Sequence, residues 1–543
     1  MVATHIWNVI SPSVSKKGKN WLTSILAKNR GLTSKKKLEE FLNPKFEQIL
    51  EVKLTDVEKA LARVSKAINS REKAVVYSDY DADGICGTAI LWETLYDLGV
   101  DVLPYVPHRI KEGYGLSKDA ISELAQKKVK LIITVDHGVA AIDQVDHAKS
   151  LGIDVIVTDH HILPKKLPKA LAIVHSTSLC GAGVAWRLAY EIAEKLKLSY
   201  RENLIEKLEL ASIATVADLV PLLGANRAIV KLGLEKISKT SRPGLKALIR
   251  ESAVSGQIGT FEIGHIIAPR INAMGRIEHG LDALRLICAK NQEQAASLAR
   301  LLCKTNTKRQ DLTSKTIQEA KVMVNGEGPI GVISHPNWHE GIIGLVAARL
   351  MDIHNKPMIV ISQGETFSKG SARSVAGFNI VEAIAKSSNL VVDVGGHPMA
   401  AGFTIQTCHI QSFSDSINCY AKGKLSAELL ARKLSIECEL QPDDINRNTL
   451  EIIDKFEPFG VGNREPLFLT KGMLVEDVRC VGQKNDHLKL QVDGFSAIGF
   501  NMGEFRSQIR PGYSIDAVYT LAEDRYNGNN AIQLKLRDLK IKS

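Results

Sequence analysis

Residues 74–87, A-V-V-Y-S-D-Y-D-A-D-G-I-C-G, constrain this chain more than any other stretch. The apolar run Ala74, Val75, Val76 and Tyr77 reads as a buried parallel strand, and it ends in three carboxylates at alternate positions, Asp79, Asp81 and Asp83. Gly84 follows, and a helical pattern is read from Ile85, with Ile90, Leu91, Leu95 and Leu98 on one face. Side chains two apart on an extended segment share a face, so this spacing aims the carboxylates at one point beyond the strand. Open α/β sheets bind ligands at that edge. Clustered carboxylates repel one another unless a cation sits among them. Asp and Gly also favour solvated turns for local reasons, so the stretch alone allows either a ligand loop or an Asp-rich turn.

The surrounding pattern separates the two. From about residue 70 to 240, strand-like runs at 73–78, 101–105, 130–135, 153–158 and 170–174 alternate with helical segments, which predicts a parallel sheet. The run 131–135 enters Asp136-His137-Gly138, and the run 155–158 enters Asp159-His160-His161. Later, the apolar stretch from Leu208 to Val216 leads into Asp218, Val220 and Pro221. One Asp after a strand is commonly a cap or turn former. Its return at several strand ends, with a His-His pair added, points to a metal site. Carboxylates plus imidazole, with no thiolate in the pattern, favour Mn²⁺ or Mg²⁺ over a structural zinc. There are enough carboxylates for two ions with one Asp bridging, and two ions roughly 3.5–4 Å apart suit in-line displacement at phosphorus. Redox chemistry at iron or manganese is the alternative; the carboxylate-heavy set argues for hydrolysis. His137 reads as a loop histidine and is left out of the ligand set.

At 543 residues the chain has room for roughly three or four domains. Lys and Arg number 70 against 60 Asp and Glu, a net charge of +10 that permits a polyanionic partner without demanding one. Eight scattered cysteines contain no C-x-x-C pair and read as reduced thiols. No apolar run approaches the roughly 18 residues of a membrane span, and the N-terminus lacks the pattern of a secretory signal. No membrane partner and a cytoplasmic location are therefore expected. Residues 1–50 are basic and mixed, with Lys16, Lys17, Lys19, Lys28, Arg30 and the run Lys35 to Lys37. Such runs are usually solvated helix faces, with direct nucleic-acid contact as the other reading.

Residues 240–325 are helix-rich, with Leu298, Leu301 and Leu302 periodic and Asn306, Arg309 and Gln310 following. In residues 326–425, Gly395-Gly396-His397 is expected to open a loop that lets a ligand approach the backbone. From 426 onward, short alternating runs at 434–440, 467–475, 487–492, 496–500, 514–521 and 531–540 read as a small antiparallel barrel, for which an OB-fold is the natural candidate. Phe495, Phe500 and Tyr526 could stack on bases there, although aromatics in strands are more often core.

The motifs taken together resemble the DHH phosphoesterase superfamily, and within it the RecJ family of bacterial single-strand-specific 5′→3′ exonucleases. The resemblance rests on D-Y-D-A-D-G, the aspartate after strand 130–135, D-H-H and T-V-A-D-L-V-P. Further segments agree: H-R-I-K-E-G-Y-G-L-S at 108–117, G-A-G-V-A at 181–185 and P-R-I-N-A-M-G-R at 269–276. So do W-H-E-G-I-I-G at 338–344, S-A-R-S-V-A-G-F at 371–378, G-G-H-P-M-A-A-G-F at 395–403 and F-E-P-F-G-V-G-N-R-E-P at 456–466. It spans nearly the whole chain. It implies a basic segment at 1–50, a parallel-sheet α/β DHH catalytic domain at 51–240 and a long helical connector at 241–325. An α/β DHHA1 domain at 326–425 and an antiparallel OB-fold at 426–543 would follow.

The resemblance implies a catalytic set of Asp79, Asp81, Asp83, Asp136, Asp159, His160, His161 and Asp218. Of these, Asp81, Asp83, Asp136, His160 and Asp218 would hold two Mn²⁺ or Mg²⁺ ions, with Asp136 bridging and Asp79 and Asp159 in support. His161 would touch the scissile phosphate. DNA and phosphate contacts would come from Arg109, Asn272, Arg276, Gln310, Ser371, Arg373 and His397. Three positions depart from the superfamily pattern: Tyr77 where distant relatives carry His, Asp136-His137-Gly138 in the second motif, and His175-Ser176 where Asn-Pro is expected. None removes an acidic ligand. The implied activity is metal-dependent hydrolysis of single-stranded DNA from its 5′ end to mononucleotides, in repair and recombination. A monomer assisted by a single-strand-binding protein and a helicase is expected. Two alternatives stand beside it. A small-substrate DHH phosphodiesterase usually lacks the connector and OB-like domain, and a catalytically inactive Cdc45-like scaffold would have eroded acids.

Overall fold

Five apolar runs, too short for helices and rich in Val and Ile, form the parallel sheet of the computed structural model. Its spatial order is Val102–Tyr105, Lys73–Ser78, Val129–Val135, Asp154–Asp159, Ala172–His175. Registers such as Val76 with Ile133 and Ile133 with Ile156 align the strand ends. The inner strands are buried on both faces, which is why they read as near-continuous hydrophobic runs. On one face Val75, Tyr77, Ile132 and Val157 pack with Ile121, Leu124 and Val145. On the other lie the helices Ala82–Asp97 and Gly181–Lys195, which also pack on each other. The first crossover leaves Lys73–Ser78 in one direction and the next returns past it to Val129–Val135. The sheet therefore has its topological switch point between these two strands, whose C-terminal ends lead into Asp79–Asp83 and Asp136.

The structure describes residues 5–11, 18, 20–196, 201–324, 328–524 and 531–542. The chain divides into two units, and each stands as its own description. The larger is Lys53–Asp218 with Gly233–Arg432; the smaller joins Met1–Val52, Leu219–Leu232 and Lys433–Ser543.

Within the larger unit, the helix Gln292–Met323 runs for 32 residues, about 48 Å at 1.5 Å per residue. Beyond it a second sheet is ordered Val391–His397, Ala400–Gln406, Phe367–Arg373, Met358–Ser362, Gly331–His335. Only its last pair is parallel. Separate apolar clusters cover its two sides, one around Phe403 and Phe413, the other around Trp338 and Val346.

Three expectations for this unit are corrected. The helix after the first strand starts at Ala82, capped by Asp81, and is buried from Ala82 through Leu91, so it has no single apolar face. The stretch leading to Asp218 is the helix Leu208–Ala217, and Asp218 is its C-cap. Gly395-Gly396-His397 does not open a loop; it ends the strand Val391–His397, which Pro398 and Met399 turn back to Ala400. Gly396 sits at φ 136°, and a Cβ there would lie 2.3 Å from the Ala400 carbonyl oxygen.

In the smaller unit, Phe468–Val481 pairs with both His487–Val492 and Ser514–Glu523. Phe495–Gly499 and Ile532–Lys542 complete a closed five-strand circuit. The circuit is antiparallel except where Ser496 to Ile498 run parallel to Gln533 to Lys535, and Cys438–Glu439 adds a second parallel pairing, on Phe468–Val481. This is a refinement of the all-antiparallel expectation. The run 434–440 also splits: Cys438–Glu439 joins the barrel, while Lys433–Ile436 pairs with the N-terminal strand Ile6–Val9. The barrel core is continuous with Leu22, Ile25, Leu26 and Phe41 of the N-terminal helices. Arg227, fully buried, donates to the carbonyls of Phe41, Phe456, Glu457 and Pro458, tying the unit's three segments together. Phe495 packs against the core and Phe500 is exposed; Tyr526 lies outside the described residues. Among the described residues no helix is long and apolar enough to cross a membrane.

Candidate metal centre and an unpaired arginine group

The acids converge because strand ends and helix starts meet at the switch point. Asp79 continues the strand, its N–H donating to the Val135 carbonyl at 3.2 Å and its Oδ1 accepting from Tyr80 N–H at 2.6 Å. Asp81 Oδ1 caps its helix, accepting from Asp83 N–H at 2.9 Å and Gly84 N–H at 3.1 Å. Asp83 lies in the first helical turn, which makes it a helix residue and not the third of an extended row. Asp136 sits at φ 68°, with its N–H on the Thr158 carbonyl at 3.0 Å and its own carbonyl accepting from Tyr114 OH at 3.2 Å.

His160 Nε2 lies 3.1 Å from Asp136 Oδ1, 3.6 Å from Asp218 Oδ2 and 3.8 Å from Asp83 Oδ2. Three overlapping groups each bring ligand atoms within 4.8 Å of one another: Asp79, Asp81 and Asp136; Asp83, His160 and Asp218; Asp136, His160 and His161. Asp136 and His160 each belong to two of them.

Electrostatics mark the same residues. Burial, then the charge of Asp81, lifts Asp79 well above the ordinary aspartate range; burial, then Asp83, lifts Asp81. Asp136 is raised by burial and by Asp83, Asp81, Asp79 and Asp218. Asp218 is pushed up to about 9 by burial, Asp83 and Asp81. Burial lowers His160, so its ring is neutral near pH 7 and can offer a lone pair. Asp136 Oδ1 is buried and accepts no hydrogen bond. An orphaned carboxylate oxygen beside a neutral imidazole, ringed by acids that cannot all ionise unaided, fits a hard divalent cation.

Asp159 differs. Its Oδ2 accepts from Val139 N–H at 3.0 Å, and its Oδ1 takes the amides of His160 and His161 at 2.7 and 3.1 Å and meets His161 Nδ1 at 2.7 Å. Burial alone would raise it, but these bonds outweigh burial and hold it well below the ordinary range. With both oxygens engaged, Asp159 orients the His-His pair. His161 is raised by the same contact against the opposing effect of burial, and its ring stacks on His397 at 6.0 Å with 7° between planes.

The cationic residues also gather in the larger unit. Arg109 lies over the Tyr80 ring at 5.0 Å. Arg276 Nη1 donates to the Gly341 carbonyl at 3.2 Å, and Arg373 Nη1 to the Ala372 carbonyl at 2.8 Å and Ser371 Oγ at 3.4 Å. Burial, then the nearby charge of Arg109, brings Arg276 down to about 10, with Arg309 and Arg373 adding to the effect. Burial and Arg109 likewise lower Arg373. Among the described residues none of Arg109, Arg276, Arg309 and Arg373 forms a salt bridge, although the charge of Asp81 raises Arg276 and that of Arg109 lowers Asp79. Asn272 Oδ1 accepts from Ala82 N–H at 2.7 Å, so that atom serves the helix start. Gln310 is exposed on the long helix, and no hydrogen bond described joins it to the other candidates.

Three features of the site go beyond what the sequence reading gave. His137 does lie in the loop after Val129–Val135 and outside the groups that could hold a metal, but it is buried there between Tyr77 and Tyr114, contacts the Tyr77 carbonyl through Nε2 at 3.1 Å, and is pushed down to about 4 by burial. His175, one of the departures, contacts the His161 carbonyl through Nε2 at 2.8 Å. In the motif at 181–185, the amides of Gly181 and Ala182 hold Asp83.

The DHH family N-terminal domain description matches residues 73–217, the DHHA1 domain 321–423 and the RecJ OB domain 436–538. The single-stranded-DNA-specific exonuclease RecJ of Bacillus subtilis is 35% identical over 540 residues, covering 96% of this chain and 68% of that protein. This chain belongs to the RecJ family. A crystal structure of RecJ in complex with Mn²⁺ from Thermus thermophilus superposes with a TM-score of 0.87 at 29% identity, covering 99% of this chain and 80% of that one. The same Thermus RecJ in complex with Mg²⁺ gives a TM-score of 0.81 at 28% identity, over 99% of this chain and 79% of that one. Both metals are the ones the donor chemistry favours.

Proposed function

We propose that this RecJ-family chain is a divalent-metal-dependent exonuclease that hydrolyses single-stranded DNA from its 5′ end to 5′-mononucleotides, in repair and recombination. The observation that carries this reading is the presence, in one unit, of a cluster of acids raised by burial and mutual repulsion beside a group of buried arginines that make no salt bridge with them. Asp81, Asp83, Asp136, His160 and Asp218 would hold two Mn²⁺ or Mg²⁺ ions, with Asp136 shared and Asp79 in support. Such ions, when bound, supply a water of lowered pKa and neutralise charge at the leaving oxygen. His161, held in orientation by Asp159 and beside His397, can donate to a non-bridging phosphate oxygen. Arg109, Arg276, Ser371 and Arg373 would grip the terminal 5′ phosphate, since guanidinium forks bind phosphate bidentately. Metal ions treat a phosphodiester alike from either end, so this pocket would set polarity. Asn272 and Gln310 would touch the strand further along, and the barrel at 426–543 would hold its continuation. In this reading 51–240 is the catalytic domain, 241–325 the connector and 326–425 the domain that carries His397 and Arg373. The protein would act in the cytoplasm as a monomer supplied by a helicase and a single-strand-binding protein.

The test uses chelated protein, single strands labelled at either end, DNA and RNA, with Mn²⁺ or Mg²⁺ restored. Immediate release of the 5′ label as a mononucleotide, with stepwise shortening of 3′-labelled DNA, is expected only after metal is returned. Preferential turnover of dinucleotides over long strands would replace this reading with a small-substrate phosphodiesterase. No turnover of any substrate would replace it with a scaffold.

A further inference from the structure

The helix Gly181–Lys195 begins against the acid cluster, and its first turn touches two acids in different ways. Gly181 N–H donates to Asp83 Oδ2 and Ala182 N–H to Asp83 Oδ1, both at 2.7 Å. Cys180, at the N-cap position, makes no side-chain cap bond, so Asp83 from the neighbouring helix does the capping. Two charge-assisted bonds of this length fix both oxygens of that carboxylate in place. The helix terminus also carries a partial positive charge that offsets the repulsion Asp83 exerts on Asp81, Asp136 and Asp218.

Gly181 has a second role. A Cβ built on it would lie 2.6 Å from Asp136 Cβ, 2.6 Å from Oδ1 and 2.7 Å from Cγ. Its backbone is helical, so conformation does not require glycine there; the neighbouring carboxylate does. Asp136 cannot easily retreat, because its backbone is held at φ 68° by bonds to Thr158 and Tyr114.

We propose that the first turn of this helix sets the separation of Asp83 and Asp136, its amides fixing one carboxylate and the missing side chain of Gly181 admitting the other. This rests on the metal reading above. Gly181 is a positioning residue: it acts through the two acids and touches neither substrate nor ion.

Mn²⁺ binding to chelated protein by titration calorimetry, and stability by thermal melting, test it. Gly181→Ala should weaken Mn²⁺ binding about 10–100-fold, the usual cost of disturbing a ligand's support. Gly183→Ala, in the same helix and facing the Leu179 side chain alone, should leave affinity unchanged. Gly181→Ala should also lower the melting temperature with Asp136 present, and lower it much less beside Asp136→Gly, which removes the obstructing side chain and accepts a positive φ. Should Gly181→Ala alone fail to fold, recovery of folding in the double variant carries the same information. Wild-type Mn²⁺ affinity in folded Gly181→Ala would overturn the proposal, as would an equal stability loss with and without the Asp136 side chain. If the unaltered protein binds no Mn²⁺, the metal reading fails, while the melting series still reads the contact.

Discussion

Two buried charge clusters lie along the helix Ala82–Asp97, and they are built on opposite plans. Toward its C-terminal end, Glu93 takes a two-pronged contact from Arg242 at 2.7 Å on each oxygen, with Lys207 at 3.4 Å; Arg242 also reaches Glu209 at 2.7 Å. Each sign finds its opposite, and although burial alone would raise Glu93, Arg242 and Lys207 hold it below the ordinary range. At the N-terminal end, Asp83, Asp136 and Asp218 surround the neutral His160 imidazole, Asp79 and Asp81 group with Asp136, and Arg276 and Arg373 bond to carbonyls. Balanced burial serves the fold. Arg109 and Arg276 offset Asp79 and Asp81 only in part, and the unpaired burial of both signs favours a cation on one side and a phosphate on the other.

The contrast breaks most sharply at Asp136. Asp136→Ala should leave the protein folded and lower turnover by about a thousandfold, near 4 kcal/mol of barrier, because a shared ligand serves both ions. Rates on chelated and reloaded protein decide it, and a folded variant above about a tenth of the original rate removes Asp136 from its role. In the balanced cluster the outcome should reverse. Arg242→Met leaves Glu209 without its arginine and Glu93 with Lys207 alone, so denaturant melts should show a loss of about 3 kcal/mol, with turnover of the folded fraction unchanged. Unaltered stability there would mean that the two clusters do not differ as described.

Arg373→Ala probes the cationic half. A lost charge-assisted bond of about 1.5–3 kcal/mol predicts a ten- to hundredfold fall in kcat/KM on 5′-phosphorylated strands, and much less on 5′-hydroxyl strands. An equal fall on both would place Arg373 on an internal phosphate or in the fold.

A smaller effect sharpens the anionic half. An unfolded aspartate loses its proton near pH 4, whereas burial and mutual repulsion raise Asp79, Asp81, Asp136 and Asp218 in the metal-free fold, the last to about 9. Between about pH 4 and 9 the unfolded chain therefore holds fewer of these protons, and metal-free stability falls as pH rises. Mn²⁺ takes the place of the protons, so the gain in Tm on adding it should be larger at about pH 8.5 than at about pH 5.5. Equal gains at both pH values would count against coupled acids.

How far the site was legible follows from what each residue had to signal. Asp136 and Asp159 were readable because buried parallel strands are unbroken Val and Ile runs, and an acid closing such a run stands out. The positions of Asp81 and Asp83 were blurred, since D-A-D-G is equally good as a turn and as a capped helix start. The helix ending at Asp218 was harder to read: it is buried on every side, and the three-residue spacing of Glu209, Ser212 and Thr215 is its one helical signal. His137 gave no sign of burial because the rings that enclose it, Tyr77 and Tyr114, come from other elements. The barrel's strands were visible as alternation, but its parallel junction depends on chain path, which no local pattern encodes.

The smaller unit's make-up has a consequence for how the protein is made. Leu22, Ile25 and Leu26 are made before the larger unit, yet residues of the same core, Phe456, Phe468 and Leu534 among them, follow only after the whole of it. At about 5–20 residues per second, some 400 intervening residues leave those side chains uncovered for about 20–80 s. Over that interval the N-terminal helices are an exposed apolar surface on a nascent chain, a natural client for a holding chaperone.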